Sequence, residues 1–154
     1  MNRKKHHVYY KKIKKDIHDR LVEKIYSNID LIKDKIDNFV YFEKYPKIGN
    51  YVPDLAFLCK TNKTEKEGLY KLLIVEVKSN GYGKSYREAE IKLYKILNSF
   101  IKEKEDLIKK YSEVIEKLKE RKLVSLYFGY RIAFEDYFYN INVVKPVTWE
   151  DRDP

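Results

Sequence analysis

A chain of 154 residues, 44% hydrophobic and 37% charged, is long enough for one domain with its own core and too apolar for a disordered protein. Its 33 Lys and Arg against 24 Asp and Glu give a net charge of +9, which favours polyanionic partners, nucleic acid first. A single cysteine, Cys59, excludes a disulfide framework and a cysteine-rich metal site, and no apolar run reaches the ~20 residues of a membrane span.

We expect one domain over residues 1–154, with a basic N-terminal arm (about 1–8) and an irregular C-terminal tail (about 145–154). The arm lacks the apolar centre of a secretory signal, so an intracellular protein is expected, in the cytoplasm of the cell or of an infected host. The positive charge also has a plainer explanation. Abundant Lys, Ile, Tyr and Asn without any glutamine is a pattern that an AT-rich genome or a hot habitat produces alone, and much of the charge is then solvated surface.

The first element is an amphipathic helix, predicted over residues 9–36 by an apolar stripe at three- and four-residue steps. The stripe consists of Ile13, Ile17, Leu21, Ile25, Ile29, Ile32 and Ile36. Acidic residues fall on the opposite side. His18 lies beside the stripe and is interpreted as a structural histidine, satisfied by its neighbours, more readily than as a ligand.

Three strands are predicted next. A short one begins in the sequence NFVYFEK and ends before a Pro/Gly break. Residues 51–60 and 69–78 are the other two, and the polar residues 61–68 between them form a hairpin loop. These two strands are therefore expected to pair antiparallel.

The second half of the chain is predicted to be helical and then extended. Residues 84–121 keep helical spacing and form either one long helix or two helices broken near Asn98 and Ser99. Alternating apolar residues predict strands over 122–132 and 136–144, paired across a turn at 133–136. The order α-β-β-β-α-β-β indicates an α+β (mixed α/β) fold with a central mixed sheet flanked by helices.

The strand 69–78 is apolar along most of its length but ends in an acid and a lysine. Glu76 and Lys78 point to the same face, and charges at the rim of a core are costly unless they are compensated. Asp54 projects from the preceding strand, so a hairpin brings Asp54 and Glu76 side by side. Two such carboxylates repel unless a hard cation lies between them, and Mg²⁺ takes oxygen ligands and tolerates substrate phosphates. Lys78 would then stabilise charge at phosphorus or orient the attacking water.

Pro53-Asp54, followed about twenty residues later by Glu76-Val77-Lys78, resembles the motif of the PD-(D/E)xK nuclease superfamily. The resemblance covers roughly residues 9–132 and implies a restriction-endonuclease-like core. It implies that Asp54 and Glu76 are ligands of Mg²⁺, with Mn²⁺ as a substitute, and that Lys78 acts in phosphodiester hydrolysis. The composition would suit a small nuclease of an archaeal or archaeal-virus source.

The acid-x-lysine triplet gains its specificity from its position. Residues 90–92 and 120–122 also match the triplet, but they lie in the helical region, where solvated surface explains them. Only residues 76–78 end an apolar strand and follow a Pro-Asp strand. The alternative is that Asp54 is a strand-end acid bonded to backbone and that Glu76 and Lys78 form a rim ion pair of little energetic value.

Two features of the family match less directly. Many members add an acid from the first helix to the metal site, and Glu23 is the candidate here, although the helix acids lie opposite the apolar stripe. Members often carry a glutamine on the helix after the motif, and this chain has none. Residues Lys84, Tyr86, Arg87, Glu88 and Lys92 occupy that region instead.

Contacts to the DNA backbone are expected from basic residues of the arm and from the loop and helix start after the motif. The candidates are Lys4, Lys5, Lys11, Lys12, Tyr82, Lys84 and Arg87. Tyr82 lies between Gly81 and Gly83 in the sequence and is a candidate for stacking on a base. A solvated surface and an ordinary strand-to-helix turn explain the same residues equally well.

These observations predict a magnesium-dependent deoxyribonuclease, an endo- or exonuclease, whose most favoured substrate is double-stranded DNA. The alternative is a non-enzymatic nucleic-acid-binding protein with a nuclease-like fold, for which salt-sensitive binding without cleavage is expected. The apolar stripe of residues 84–121 also permits a homodimer, although such stripes more often pack within one chain.

Overall fold

The computed structural model describes residues 3–79 and 84–152, with side chains for 12–79 and 86–152. Helix α1 spans Arg3–Ser27 and is followed by two short 3-10 helices, Ile29–Leu31 and Lys33–Lys35. The predicted continuous helix to residue 36 is wrong, because Asn28 ends it: its side-chain amide donates to Lys24 O at 2.9 Å. The three-residue apolar spacing beyond this point suits 3-10 turns as well as an α-helix.

Three strands form an antiparallel meander: β1 is Phe39–Lys44, β2 is Leu55–Lys60 and β3 is Leu69–Lys78. The predicted β2–β3 pairing and the bounds of β3 are confirmed. The loop between them contains one helical turn, α2 (Thr64–Glu67), which ends at Gly68 with a φ of 67°. β2 begins four residues later than predicted, because Tyr51 pairs with Ile48 in a tight turn before it.

The helical segment after β3 contains two helices, α3 (Lys84–Lys102) and α4 (Lys104–Leu118). The interruption is at Glu103, not near Asn98 and Ser99. Hydrogen bonds of 2.9 Å from Glu103 N to Ser99 O and from Leu107 N to Glu103 O continue across it. The stripe of Leu107, Tyr111 and Ile115 is buried against the same core as α3, so it packs within the chain.

Strand β4 (Ser125–Glu135) runs parallel to β3 along its whole length, and β5 (Ile141–Val144) returns antiparallel to β4. The turn between them lies at 136–140. The predicted turn at 133–136 is wrong, because Ala133 is buried and pairs with both Val77 and Val143. The sheet order is β1-β2-β3-β4-β5, with β3–β4 the parallel pair.

The result is a mixed α+β fold with a five-stranded mixed sheet flanked by helices. The predicted fold class and central mixed sheet are confirmed. The element order differs from the predicted order α-β-β-β-α-β-β, because α2 interrupts the meander and the segment after β3 forms two helices, the second of the two alternatives that the sequence left open. One face of the sheet packs on α3 and α4, and the other packs on the C-terminal half of α1. Among the described residues, no helix is long and apolar enough to cross a membrane.

The described residues after β5, 145–152, contain no helix or long strand, yet they are anchored to the sheet. Arg152 exchanges two 2.9 Å backbone hydrogen bonds with Phe128 on the free edge of β4, and Trp149 is buried on the α3 face. Asp151 turns to the opposite face, where it pairs with Arg131 and Lys71. The tail thus closes the part of β4 that β5 leaves uncovered.

Candidate functional site

The site lies where β3 ends and β2 begins. Leu55 pairs with Val75, so Asp54 reaches the position opposite Glu76, one residue beyond the last paired residues. Val77 N donates to Asp54 Oδ2 at 2.7 Å and holds the carboxylate against β3. Asp54 is 6% exposed and Glu76 2% exposed. The structure therefore brings together the two acids that the alternation of the strands predicted to meet.

The Glu76 carboxyl group is in an unfavourable place for a charge. Burial and then the negative charge of Asp54 raise its pKa from 4.5 to about 7, while Lys92 acts in the opposite direction. Lys92 Nζ lies 3.3 Å from Oε1 and 3.4 Å from Oε2. Only Oε2 accepts a hydrogen bond from it, and within the described part of the chain Oε1 is buried with no hydrogen-bond donor. Glu76 Oε1 is thus a buried oxygen whose contact with Lys92 is an ion pair and not a hydrogen bond.

Asp54 has the opposite tendency. Burial opposes its ionisation, but His18 and the backbone N–H of Val77 outweigh burial and hold its pKa below the usual value. The two acids consequently divide their roles, with Asp54 ionised and Glu76 titrating near neutral pH. Buried carboxyl groups with separated pKa values are typical of functional sites and also of structural ion-pair networks.

His18 belongs to this site, and the sequence analysis did not place it there. Its Nε2 lies 3.2 Å from Asp54 Oδ2 and its Nδ1 lies 3.3 Å from Asp19 Oδ1. The hydrogen bond to Asp54 raises the pKa of His18 to about 9, against the effect of its partial burial, and Asp19 adds to the rise. A protonated imidazolium donates from both nitrogens, so it fits between two carboxylates. The available signal was its position beside the apolar stripe, which directs it towards the sheet.

The two lysines of the site come from different elements. Lys78, the predicted catalytic lysine, is the half-buried last residue of β3, on the face that carries Glu76. Lys92, on α3, makes the contact with Glu76. The prediction that residues 90–92 are solvated surface is incomplete for Lys92, whose partly exposed side chain also contacts the buried Glu76. Its neighbour Leu93 is buried, and a long lysine stem reaches along an apolar surface to place its ammonium group.

Glu23 is not brought to the Asp54–Glu76 pair. It is exposed and forms an ion pair with Lys44, and Ser27 Oγ donates to it at 2.9 Å. The bond from Lys44, then that from Ser27, lowers the pKa of Glu23. The acid of α1 that is linked to the site is Asp19, one turn earlier, through His18. Across residues 12–79 and 86–152, whose side chains the structure describes, no three His, Cys, Asp or Glu side chains are grouped so as to hold a metal ion.

The predicted DNA contacts are distributed over several parts of the chain. Helix α1 contains Lys4, Lys5, Lys11 and Lys12, and helix α3 contains Lys84 and Arg87. Tyr82, in the loop between β3 and α3, lies outside the described residues. The side chains of Lys12 and Arg87 are exposed. Their role as DNA contacts stays a prediction.

A scan against protein-family models and searches of curated proteins and of solved structures found no match to this chain. The resemblance to the PD-(D/E)xK nucleases therefore stays a prediction that rests on Pro53, Asp54, Glu76 and Lys78. The structure places these residues together where β2 begins and β3 ends, with His18 and Lys92 in contact with the two acids.

Proposed function

We propose that the protein is a magnesium-dependent nuclease that hydrolyses phosphodiester bonds in DNA. The observation that supports it is the buried Asp54–Glu76 pair, in which Glu76 Oε1 has no hydrogen-bond donor among the described residues and the pKa of Glu76 is raised to about 7. Two adjacent buried carboxylates, one with an oxygen that accepts no hydrogen bond from the described residues, are a donor set that suits a hard cation. Mg²⁺ commonly takes one or two carboxylates and fills the rest of its shell with water and phosphate oxygens.

In this proposal Asp54 and Glu76 hold the cation. The bound ion would polarise the phosphodiester and lower the pKa of the attacking water. His18 fixes the orientation of Asp54 by its charged hydrogen bond and keeps Asp54 ionised. Lys92 neutralises Glu76 in the absence of the cation and is free to turn to a phosphate in its presence, because its side chain is partly exposed. Lys78 supplies a second positive charge where the scissile phosphate would approach.

The choice of DNA as substrate rests on charge. A net charge of +9 attracts a polyanion independently of its sequence. We infer no sequence preference from it, because phosphate contacts position a nucleic acid without reading its bases.

One observation favours a second candidate, a nucleic-acid-binding protein without catalysis. His18 and Lys92 each give one carboxylate of the pair a positively charged partner, so both acids are compensated without a metal. In that case the site is a structural ion-pair network at the end of β3, and the protein binds nucleic acid only through its surface charge.

The test is cleavage of linear and circular duplex DNA with Mg²⁺ by the wild type, Glu76→Gln and Asp54→Asn, with EDTA as the metal-free control. Both variants are expected to lose activity by at least about a hundredfold, the scale of losing one preorganised electrostatic partner. Glu43→Gln is the matched control, because Glu43 is also a strand glutamate paired with a helix lysine, Lys110, at 2.7 Å.

Nicking of the circular substrate identifies an endonuclease, and cutting of the linear substrate alone identifies an exonuclease. Absence of cleavage together with DNA binding that weakens with salt would establish the second candidate instead. Equal activity of Glu76→Gln and the wild type would remove Glu76 from the site.

A further inference from the structure

The turn between β4 and β5 displays three consecutive aromatic side chains to solvent. Tyr137 is 94% exposed, Phe138 82% and Tyr139 75%. We call these three residues the aromatic tip. Apolar residues that are scattered singly over a surface are ordinary, but three consecutive exposed rings concentrate apolar surface at one hairpin end, and such concentrations mark binding surfaces.

The backbone under the aromatic tip is held in one conformation. Asp136 Oδ1 accepts hydrogen bonds from Phe138 N at 2.8 Å and Asn140 N at 3.0 Å, and its Oδ2 accepts one from the Asn142 side chain at 3.1 Å. Asp136 N also donates to Asn140 O at 2.9 Å. Tyr139 adopts a φ of 63°, a conformation that non-glycine residues seldom adopt. The turn backbone is thus ordered by its own hydrogen bonds while the three side chains stay exposed to solvent.

The aromatic tip follows the C-terminal end of β4, and the candidate site lies at the C-terminal end of the neighbouring strand β3. β3 and β4 run parallel, with Glu76 opposite Ile132 and Lys78 opposite Phe134. Glu135, the last residue of β4, follows Ile132 by three residues, so an extended rise of ~3.3 Å per residue places the start of the turn roughly 10 Å beyond Glu76 along the strand direction. A DNA strand that passes the candidate site would therefore meet the aromatic tip within a few nucleotides.

We propose that the aromatic tip stacks on unpaired bases of a DNA strand that enters the candidate site, so that the preferred substrates carry a single-stranded segment. This inference rests on the proposed nuclease function. Ring faces stack on bases whose own faces are free, as in single strands, overhangs and opened ends, whereas duplex bases already stack on each other.

Charge at the base of the hairpin favours a polyanion over a neutral partner. Lys35 Nζ donates to Ile141 O, and Lys78 pairs through its backbone with Phe134. Lys24 lies at the same base, 2.6 Å from Glu135, and neutralises that acid. The Asp136 carboxylate is engaged by the three donors of the turn. Those donors are neutral, so Asp136 stays an anion, and Lys35 and Lys78 together with Asp136 leave one net positive charge at the base of the hairpin.

The test measures binding by fluorescence anisotropy in EDTA, at fixed ionic strength, to an oligothymidylate, an overhang duplex and a blunt duplex. The principal variant is Tyr137→Ala/Phe138→Ala, which leaves the strained position 139 unchanged. Tyr137→Leu/Phe138→Leu retains apolar bulk and removes the ring faces. Val147→Ala, at an exposed apolar residue of the tail, is the control. Because all these side chains are exposed, thermal unfolding is expected to be the same for every protein.

The wild type is expected to bind the oligothymidylate and the overhang more tightly than the blunt duplex. The alanine double variant should lose about tenfold or more on the first two and little on the third, since a stacked base alone contributes roughly fivefold or more. The leucine double variant should lose most of the same affinity. Retention of single-strand affinity by the alanine variant overturns the proposal, as does an equal loss on the single-stranded and blunt duplex probes.

Cleavage of the blunt duplex with Mg²⁺, measured on the same proteins, separates this inference from the proposed function. If the wild type cleaves and the alanine variant binds single strands normally, the stacking proposal fails and the nuclease proposal stands. If the wild type never cleaves but the alanine variant loses single-strand binding, the nuclease proposal fails and the aromatic tip stands as a base-binding surface.

Discussion

Replacing Glu76 by glutamine is expected to make the protein more stable at alkaline pH, even though it removes an ion pair. Burial and Asp54 raise the pKa of Glu76 from 4.5 to about 7, so ionising it costs more in the folded chain than in the unfolded chain. Each pH unit of this displacement corresponds to about 1.4 kcal/mol, which gives a penalty of about 3 kcal/mol once the group is fully ionised. The pKa of about 7 already includes the opposing effect of Lys92, which lowers the pKa of Glu76.

The sign of the effect with pH follows from proton binding. Between pH 4.5 and about 7 the folded chain binds the Glu76 proton and the unfolded chain does not, so the free energy of unfolding falls as pH rises. Glu76→Gln has no proton to release. It should match the wild type below pH 4.5 and exceed it by about 2–3 kcal/mol above pH 7.

Urea unfolding in EDTA across this pH range measures the difference, with Glu43→Gln as the control for a general loss of negative charge. A difference between Glu76→Gln and the wild type that does not change with pH would refute the electrostatic reasoning. Repeating the measurement with Mg²⁺ adds a second readout. A ligand at a hundred times its Kd stabilises by about 2.7 kcal/mol, and only the wild type should gain it.

The pKa of His18 is raised from 6.5 to about 9, so its contribution to the free energy of unfolding is complete below pH 6.5 and is lost as pH rises to about 9. Urea titrations across this pH range should show that loss of stability in the wild type and not in His18→Gln. Asp151→Asn leaves the buried Lys71 and its neighbouring cation with less compensation and should lower the free energy of unfolding by about 3 kcal/mol, measured by denaturation at neutral pH. Gly68→Ala should cost ~2 kcal/mol in the same assay, because a Cβ at φ 67° would lie 2.5 Å from Lys122 O; a variant as stable as the wild type would contradict that geometry.

Strand periodicity carried the sequence analysis furthest. The alternation in β3 and the polar loop before it were sufficient to predict that Asp54 and Glu76 lie side by side, because an antiparallel hairpin has few registers that bury the same apolar face. The end of α1 was missed because Asn28 interrupts the helix without breaking the apolar spacing.

The partners of the two acids could not be predicted in the same way. His18 and Lys92 reach the pair from helices on opposite faces of the sheet, and periodicity gives the face of a helix but not its crossing angle or axial position. A shift of one helical turn would bring a different residue to the same place. Glu23, one turn and a residue beyond His18 on α1, illustrates this, since it pairs with Lys44 on β1 instead.

The parallel pairing of β3 with β4 has a consequence for the synthesis of the chain. Because α3 and α4 lie between these strands in sequence, the apolar β3 is complete while its neighbour β4 has yet to be made. During that interval β3 is an open sheet edge, the kind of segment that recruits strands from other chains. Lys71, Glu76 and Lys78 interrupt its apolar run, and charges placed in this way oppose intermolecular pairing. The acid that makes the folded protein less stable would thus protect the growing chain from aggregation.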